Sequence, residues 1–539
     1  MKIHLLSALC PALLALAAPA ATAQPKAKPA AEKPAVAKPA TAKSTVTKSA
    51  TAKSAASKPA VAKPPVAKTP VAKTSVVKPA IAKPAVAKPA VAKPATVKTP
   101  AAKPAVAGQR LLPALASTLK KLPNGVVFVA RPDNLAPRAA ISLVIRAGAA
   151  DETPTNAGWR RVLVNAMLRG TPQGVSSETG LTAIPSGEGL PRAAERLGGR
   201  IGATVGDDFV EIYVVGDSKK APELLDLALA LWKKPRLSDD DIQSARERAL
   251  NQVEAEDLDT ANKTQAALRS QLFRTARGDL AAYGLAEGGT AESLAYLTNE
   301  RLRTLHNQLA AARVTVAATG SFDASALQKR LAALPAPTAR ESPAPTFAAP
   351  KAGAPALVVR ELPVPSAWVF VSYPLAGNTN SDAPALRVLA AALGDSSKAR
   401  LPGRLLENQP IGSSPPAISV AAQFVPRRYA GEMVLFAQTG PQNVERVKNA
   451  LLDEMRRLRD APLSKVELES AKTFARGSWS VERQNLRDRA FQSALSPALG
   501  GPIDTLWPAR LSAVSGAEVQ RVAKKYLRAY AVALVMPAE

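Results

Sequence analysis

The chain has 539 residues, a formal net charge of +28 at pH 7, two histidines and one cysteine. This length is sufficient for two or more domains with buried cores. His4 and Cys10 lie in a short N-terminal segment, which leaves His306 as the one imidazole of the remaining chain and no thiol. A zinc site made of several nitrogen or sulfur ligands is therefore excluded beyond that segment, and we predict no resident metal or cofactor.

Residues 1–23 have the pattern of a secretory signal peptide. Lys2 precedes an apolar run from Leu5 to Ala18, and Ala21-Thr-Ala23 supplies small residues for cleavage. The run is too short to span a bilayer. We therefore expect an exported protein located in the periplasm.

Residues 24–107 form a tail rich in lysine, alanine and proline. Its 17 lysines and one acidic residue, Glu32, contribute +16 of the +28. Frequent proline and the lack of aromatic residues predict a disordered, extended segment. Three interpretations remain open: contact with an acidic envelope polymer or anionic lipid, nucleic-acid binding as in histone-H1-like tails, and a solubilising spacer without a ligand. Export argues against nucleic acid.

The rest of the chain divides into two segments with the same order of elements, 108–335 and 356–539, joined by a Pro/Ala-rich linker, 336–355. Each segment begins with apolar strands and ends with a helix followed by a strand. The predicted strands are Val126–Val129, Ala140–Ile145, Val314–Ala318, Ala356–Val359, Ala367–Ser372 and Val532–Val535, and the closing helices are Glu300–Ala312 and Ala517–Ala529.

Both segments also contain a matched helix start. Ser238 precedes Asp241 by three residues, and Ser464 precedes Glu467 in the same way. Each serine is suited to accept a hydrogen bond from a free backbone N–H of the first turn. We predict an α+β fold of two homologous domains, each a mainly antiparallel sheet with helices packed on one face.

Several local motifs follow one another in the first domain. They are Leu122-Pro-Asn-Gly125, Arg146-Ala-Gly-Ala-Ala-Asp-Glu152 before Gly158, a helix that closes with Gly170-Thr171, and Gly198-Gly-Arg-Ile-Gly-Ala-Thr204. Their order resembles the pitrilysin/insulinase family of metallopeptidases, especially its short bacterial and mitochondrial-processing-peptidase-like members. The resemblance covers most of residues 115–539. It implies a helix that carries an inverted zinc motif, His-x-x-Glu-His.

When the helix is aligned on Gly158 and Gly170-Thr171, the family's functional positions are occupied by other residue types. The two histidine positions fall on Arg161 and Asn165, and the general base falls on Val164. A guanidinium cannot ligate zinc, and valine cannot accept a proton. The third ligand aligns with Gln252, although Glu254 and Glu256 lie close by. The resemblance therefore implies a degenerate zinc site, without catalytic or metal-binding residues.

The second domain lacks the family's substrate-binding pair as well. The segment Arg400–Ser413 resembles the part of the family that supplies an arginine and a tyrosine. These positions fall on Leu406 and Ser413. Arg404 and Tyr429 are substitutes only in another register.

Other singled-out residues have structural interpretations. Trp159, Val162, Leu163 and Ala166 have the spacing of a core stripe. Arg161 and Asn165, one turn apart, are expected to hydrogen-bond each other or to line a polar cleft. His306 is expected on a helix surface.

The leading functional hypothesis is a non-catalytic peptidase-like subunit that pairs with an active zinc metallopeptidase relative as a heterodimer. Together they would form a chamber for unfolded peptides, which this chain would bind along a sheet edge. The alternatives are an envelope-binding scaffold that uses the cationic tail, and a peptidase with a non-standard site.

Overall fold

The computed structural model describes residues 117–538, except 134, 170–188, 340–343, 349–355, 379, 396–397, 408 and 411–412. The predicted signal peptide, the predicted tail and the Gly170-Thr171 helix end lie outside the described residues. The described part belongs to one compact unit, so contacts between its first half (through residue 339) and its second half (from residue 344) can be described.

The first half contains a six-stranded sheet with the order β1-β2-β6-β3-β5-β4, in which the β2–β6 pair is parallel and the other pairs are antiparallel. Its elements are β1 (Thr118–Lys121), β2 (Val127–Pro132), β3 (Arg138–Ile145), α1 (Trp159–Arg169), α2 (Leu190–Arg196), β4 (Arg200–Val205), β5 (Val210–Asp217), α3 (Ala221–Lys233), α4 (Asp239–Asp257), α5 (Thr260–Leu272), α6 (Ala291–Ala295), α7 (Asn299–Ala311), β6 (Val314–Gly320) and α8 (Ala324–Ala332).

The second half contains a five-stranded sheet with the order β7-β11-β8-β10-β9, in which only the β7–β11 pair is parallel. Its elements are β7 (Ala356–Leu362), β8 (Ala367–Ala376), α9 (Ala383–Ala390), α10 (Arg400–Pro402), β9 (Ala417–Val425), β10 (Ala430–Thr439), α11 (Val444–Asp460), α12 (Lys465–Val481), α13 (Leu486–Ala498), α14 (Trp507–Ala513), α15 (Gly516–Tyr526) and β11 (Ala531–Pro537).

The predicted α+β fold with two homologous halves is confirmed. The six predicted strands correspond to β2, β3, β6, β7, β8 and β11, with each start within two residues of the predicted one. The two helix starts are also confirmed, because the Ser238 and Ser464 side chains accept from the backbone N–H groups of Asp241 and Glu467. Among the described helices, none combines the length and apolar character needed to cross a bilayer.

Each sheet packs one face against helices of its own half. In the first half Ile141, Leu143 and Ile145 of β3 point into a core shared with α1 and α3. In the second half, alternate residues of β8 make the corresponding core with α9, α11 and α15. The alternation of side chains along a strand leaves the opposite face of each sheet with its own apolar residues, which also require cover.

The second face of each sheet is covered by a helix of the other half. Helix α13 lies on β3 and β6 of the first sheet, where Ala494 and Ala498 pack against Val129, Val144 and Ala317. Helix α5 lies on β7, β8 and β11 of the second sheet, with Leu268 and Leu272 among its contacts. The halves therefore exchange α5 and α13, and burial of each sheet depends on both halves.

Candidate functional site

The N-terminus of α1 is fixed by a buried carboxylate. Glu152 accepts from the backbone N–H of Gly158 at 2.8 Å and of Arg160 at 2.9 Å. Burial raises the pKa of Glu152, while these bonds and the Arg160 guanidinium act in the opposite direction. Gly158 has φ +82°, and a Cβ there would lie 2.3 Å from the Gly288 carbonyl oxygen, so only glycine fits.

The predicted core stripe of α1 is confirmed. Trp159, Val162, Leu163 and Ala166 are buried in the first-half core. Val164, which the resemblance aligns with the family's general base, is buried in the same core. The residue aligned with a proton acceptor therefore acts as a packing residue.

Arg161 forms an ion pair with α4 and does not bond Asn165. Its Nη1 donates to Oε1 of Glu256 at 2.7 Å, and Gln252 donates to the same oxygen at 3.1 Å. A Cβ on Gly288 would lie 2.8 Å from both the Arg161 guanidinium and the Glu256 carboxylate, so the backbone closes over the pair. The expected Arg161–Asn165 hydrogen bond is wrong because a carboxylate accepts more strongly from a guanidinium than an amide does.

These residues do not fit a zinc ion. Arg161 carries a positive charge and only donors, and its guanidinium already occupies the carboxylate that α4 supplies. No group of three or more histidine, cysteine, aspartate or glutamate side chains suited to a metal occurs in the described part of the chain. The arrangement that links α1 to α4 is an ion pair, and we derive no metal chemistry from it.

The second-half residues that the resemblance aligns with the family's substrate-binding pair also have structural contacts. Leu406 packs against the second-half core, and the Ser413 hydroxyl donates to the Pro410 carbonyl at 2.7 Å. Arg404 donates to the Ala450 carbonyl at 3.1 Å and pairs with Asp453, which directs it to α11.

His306 was expected on a helix surface, and this prediction is wrong. Its side chain is buried on α7, and Nε2 lies 3.0 Å from the Trp232 carbonyl oxygen. Burial lowers its pKa. His306 therefore fills the contact between α7 and α3.

Sequence reasoning missed a buried polar cluster between the halves. Arg427, in the β9–β10 turn, pairs with Asp207 of the first half and, at 3.0 Å, with Glu432 of β10. Beside it, Asp208 accepts from the Tyr283 hydroxyl at 2.5 Å and from the backbone N–H of Arg428 at 2.8 Å. The adjacent acidic residues at 207–208 and the adjacent arginines at 427–428 were the one available sequence signal.

Burial has the largest influence on the protonation of Asp208 in this cluster. It raises the pKa of Asp208 to about 7, and neighbouring Asp207 and Asp151 act in the same direction, against the Tyr283 hydrogen bond and Arg427. Arg427 itself has a raised pKa because Asp207 and Glu432 outweigh its burial. Phe347 stacks on Tyr283 at a centroid distance of 5.3 Å and shields the cluster from one side.

Comparison with protein families identifies the family of this chain. Residues 127–282 match the family described as insulinase, peptidase family M16, and residues 296–474 match the peptidase M16 inactive domain. The matched segments cover more than half of the chain. This protein belongs to the M16 family. The predicted pitrilysin/insulinase resemblance is confirmed, for a chain that lacks the family's zinc motif.

Several solved structures share the fold. A peptidase M16 inactive domain from Pseudomonas fluorescens is 18% identical, with a TM-score of 0.66 over 79% of this chain and 99% of that one. A protease from Helicobacter pylori is 15% identical, with a TM-score of 0.67 over 79% and 100%. A chain of complex III2 from Candida albicans, with Inz-5 bound, is 17% identical, with a TM-score of 0.61 over 78% and 95%. No curated protein matches the sequence significantly.

Proposed function

We propose that this M16 protein is a non-catalytic subunit that pairs with a zinc-bearing relative in the periplasm and forms one wall of a chamber for unfolded peptides. The observation that carries the proposal is the Arg161–Glu256 ion pair. It links α1 to α4 where active relatives place a metal. The arrangement of the two helices is thus retained, while the residues between them are no longer metal ligands. Bond cleavage then belongs to the partner.

A wall of such a chamber needs a surface that holds extended chains. Strand β4 lies at one edge of the first sheet and contacts α1. The outer backbone groups of an edge strand can pair with an added peptide strand, without regard to its sequence. This geometry supports binding of unfolded peptides beside the ion pair.

Assembly is supported by the kind of protein that shares this fold. One structural neighbour is a chain of complex III2, which is itself an assembly. The family-level likeness to an inactive M16 domain fits a subunit that acts by binding. We propose that the partner is a relative that retains His-x-x-Glu-His.

The test is co-expression of the chain with a relative that bears the zinc motif. We expect one complex by size measurement, cleavage of an unfolded peptide by the complex, and no cleavage and no stoichiometric zinc with the purified chain alone. Metal-dependent cleavage by the chain alone would support a non-standard peptidase site and overturn the proposal. Absence of any complex would overturn it as well.

The charge of the tail favours a second candidate, an envelope-binding scaffold. Residues 24–107 concentrate 17 lysines, a charge suited to acidic polymers or anionic lipid headgroups. Deletion of residues 24–107 separates the two candidates. The scaffold candidate predicts loss of envelope association with the partner still bound, and it fails if association is unchanged.

A further inference from the structure

An exposed corner of the molecule combines apolar side chains with surplus positive charge. It lies where the loop after β2 meets the α12–α13 turn and the segment before α14. Leu135, Val481 and Leu506 are 80%, 60% and 52% exposed. Each lies two residues from a member of one ionic cluster, formed by Asp133, Arg483 and Asp504 with Arg489 and Arg131. We refer to the three apolar residues with Arg131, Arg483 and Arg489 as the corner patch.

The ionic cluster has one guanidinium more than its carboxylates satisfy. Arg483 holds Asp504 through two hydrogen bonds of 2.8 and 2.6 Å, and Arg489 holds Asp133 at 2.7 Å. Arg483 also contacts Glu482, which is shared with Arg387. Each carboxylate is thus engaged by another arginine, and Arg131 has no hydrogen bond to any of them.

Arg131 has unsatisfied donors. Its Nε and Nη1 are shielded from solvent and have no acceptor among the described residues. Burial and the nearby Arg489 and Arg483 lower its pKa, while Asp504 and Asp133 act in the opposite direction. Buried donors are nearly always paired in proteins, so an unpaired guanidinium indicates a missing acceptor.

The apolar surround indicates a protein as the occupant. A free oxyanion would satisfy a guanidinium but gains nothing from three exposed aliphatic side chains. Arginine with apolar neighbours is typical of the energetic centre of protein interfaces. A second copy of this chain is disfavoured, because a twofold contact would place the same cationic centre against itself.

We infer that the corner patch docks a carboxylate-bearing, apolar segment of the zinc-bearing partner, with the carboxylate on Arg131. This inference rests on the proposed function and specifies which face of the chain the partner contacts. Because Nε and Nη1 are shielded in the isolated chain, the Arg131 side chain would turn outward as the partner binds. It would then donate a charge-assisted hydrogen bond to the carboxylate while Leu135, Val481 and Leu506 lose contact with water.

The experiment measures the dissociation constant of the full chain for the co-expressed relative. Two variants test the patch: Arg131→Met, and the combination Leu135→Ser, Val481→Ser and Leu506→Ser. We expect each to weaken the complex about tenfold or more. The matched control is Leu258→Ser, at an 86% exposed leucine on the α4–α5 turn, which should leave the constant within about twofold of wild type.

Thermal unfolding of each isolated variant accompanies the binding measurement. Because Arg131→Met removes unsatisfied donors, it should unfold at or above the wild-type temperature, so a loss of binding would not reflect a loss of fold. Unchanged affinity in both variants, with the wild-type complex intact, overturns the corner patch and leaves the proposed function standing. Failure of the wild-type chain to pair overturns both. Self-association abolished by the apolar variant overturns the choice of partner.

Discussion

The two halves each bury a glutamate in the sheet but neutralise it in different ways. Each sheet buries a glutamate that accepts from a serine on the neighbouring strand: Ser142 donates to Glu211 at 2.9 Å, and Ser372 donates to Glu432 at 2.6 Å. The positions correspond, since in both sheets the glutamate is paired with the residue two places after the serine.

The halves differ in the source of the neutralising arginine. Glu211 is paired with Arg487, at the start of the exchanged helix α13. Glu432 is paired with Arg427 of its own hairpin, which also reaches Asp207 in the other half. A buried carboxylate must be neutralised, but the fold does not determine which element supplies the guanidinium. In both cases the ion pairs connect the halves.

The largest expected effect comes from removing these arginines. Arg427→Met leaves the buried Glu432 and the partly buried Asp207 without this partner, so the free energy of unfolding should fall by about 3–5 kcal/mol. Arg487→Met leaves one buried carboxylate, that of Glu211, without its partner. Burial already raises the pKa of Glu211, so this carboxylate can take up a proton. A smaller loss of roughly 1–3 kcal/mol is expected there. Urea unfolding at pH 7 measures both.

Arg456→Met is the control, because Arg456 forms an exposed ion pair with Asp453 and its removal should cost less than about 1 kcal/mol. Equal losses from Arg427→Met and Arg487→Met would contradict the argument that the number of stranded carboxylates sets the cost.

The next effect concerns the pH dependence of the inter-half cluster. The pKa of Asp208 is about 7 in the folded chain and has a reference value of 3.8. The folded state therefore binds the extra proton, and the stability contributed by this group is lost as pH rises from about 4 through 7. Asp208→Asn should reduce the decline in unfolding free energy between pH 5 and 8 by about 2–3 kcal/mol.

The substitution of asparagine keeps an oxygen that can accept from Tyr283 or from the backbone of Arg428. Denaturant unfolding at several pH values gives the decline for both proteins. Asp240→Asn, on the exposed side of α4, should leave the decline unchanged. An Asp208→Asn variant with the wild-type pH profile would show that another group is responsible.

The smallest effect is expected at the Arg161–Glu256 ion pair. The side chains of Arg161 and Glu256 are 18% and 38% exposed, so Arg161→Met should lower the unfolding free energy by about 0.5–1 kcal/mol. A double-mutant cycle with Glu256→Gln isolates the pair. Gln252→Ala, which leaves the pair intact, is the control. A coupling energy of zero would show that the ion pair does not stabilise the contact between α1 and α4.

The sequence predicts features that depend on neighbouring residues. The helix starts at Ser238 and Ser464 follow from side chains three residues away, and the strands from short apolar runs, so local geometry decides both. The order of these elements was sufficient to predict the internal duplication and the family. Gln252 was aligned with the third ligand, but the carboxylate that meets α1 belongs to Glu256, one turn further along α4.

Features that depend on distant residues were missed. The apolar faces of α5 and α13 indicate burial without identifying the sheet that buries them. For Arg161, helix spacing suggested a hydrogen bond to Asn165 or a shared polar cleft, because spacing along a helix identifies only partners on the same helix. For His306 a signal did exist: it lies four residues after Leu302 and three before Leu309, on the buried side of α7.

The helix exchange has a consequence for how the chain is made. Thr319 of β6 hydrogen-bonds the Leu486 carbonyl at the start of α13, across a separation of 167 positions. During synthesis the first sheet is complete long before its covering helix exists, and one apolar face stays open until almost the entire chain has emerged. The nascent protein is therefore open to aggregation on this face from the completion of β6 until α13 appears. We therefore expect its yield in a cell to respond to factors that hold an unfinished chain.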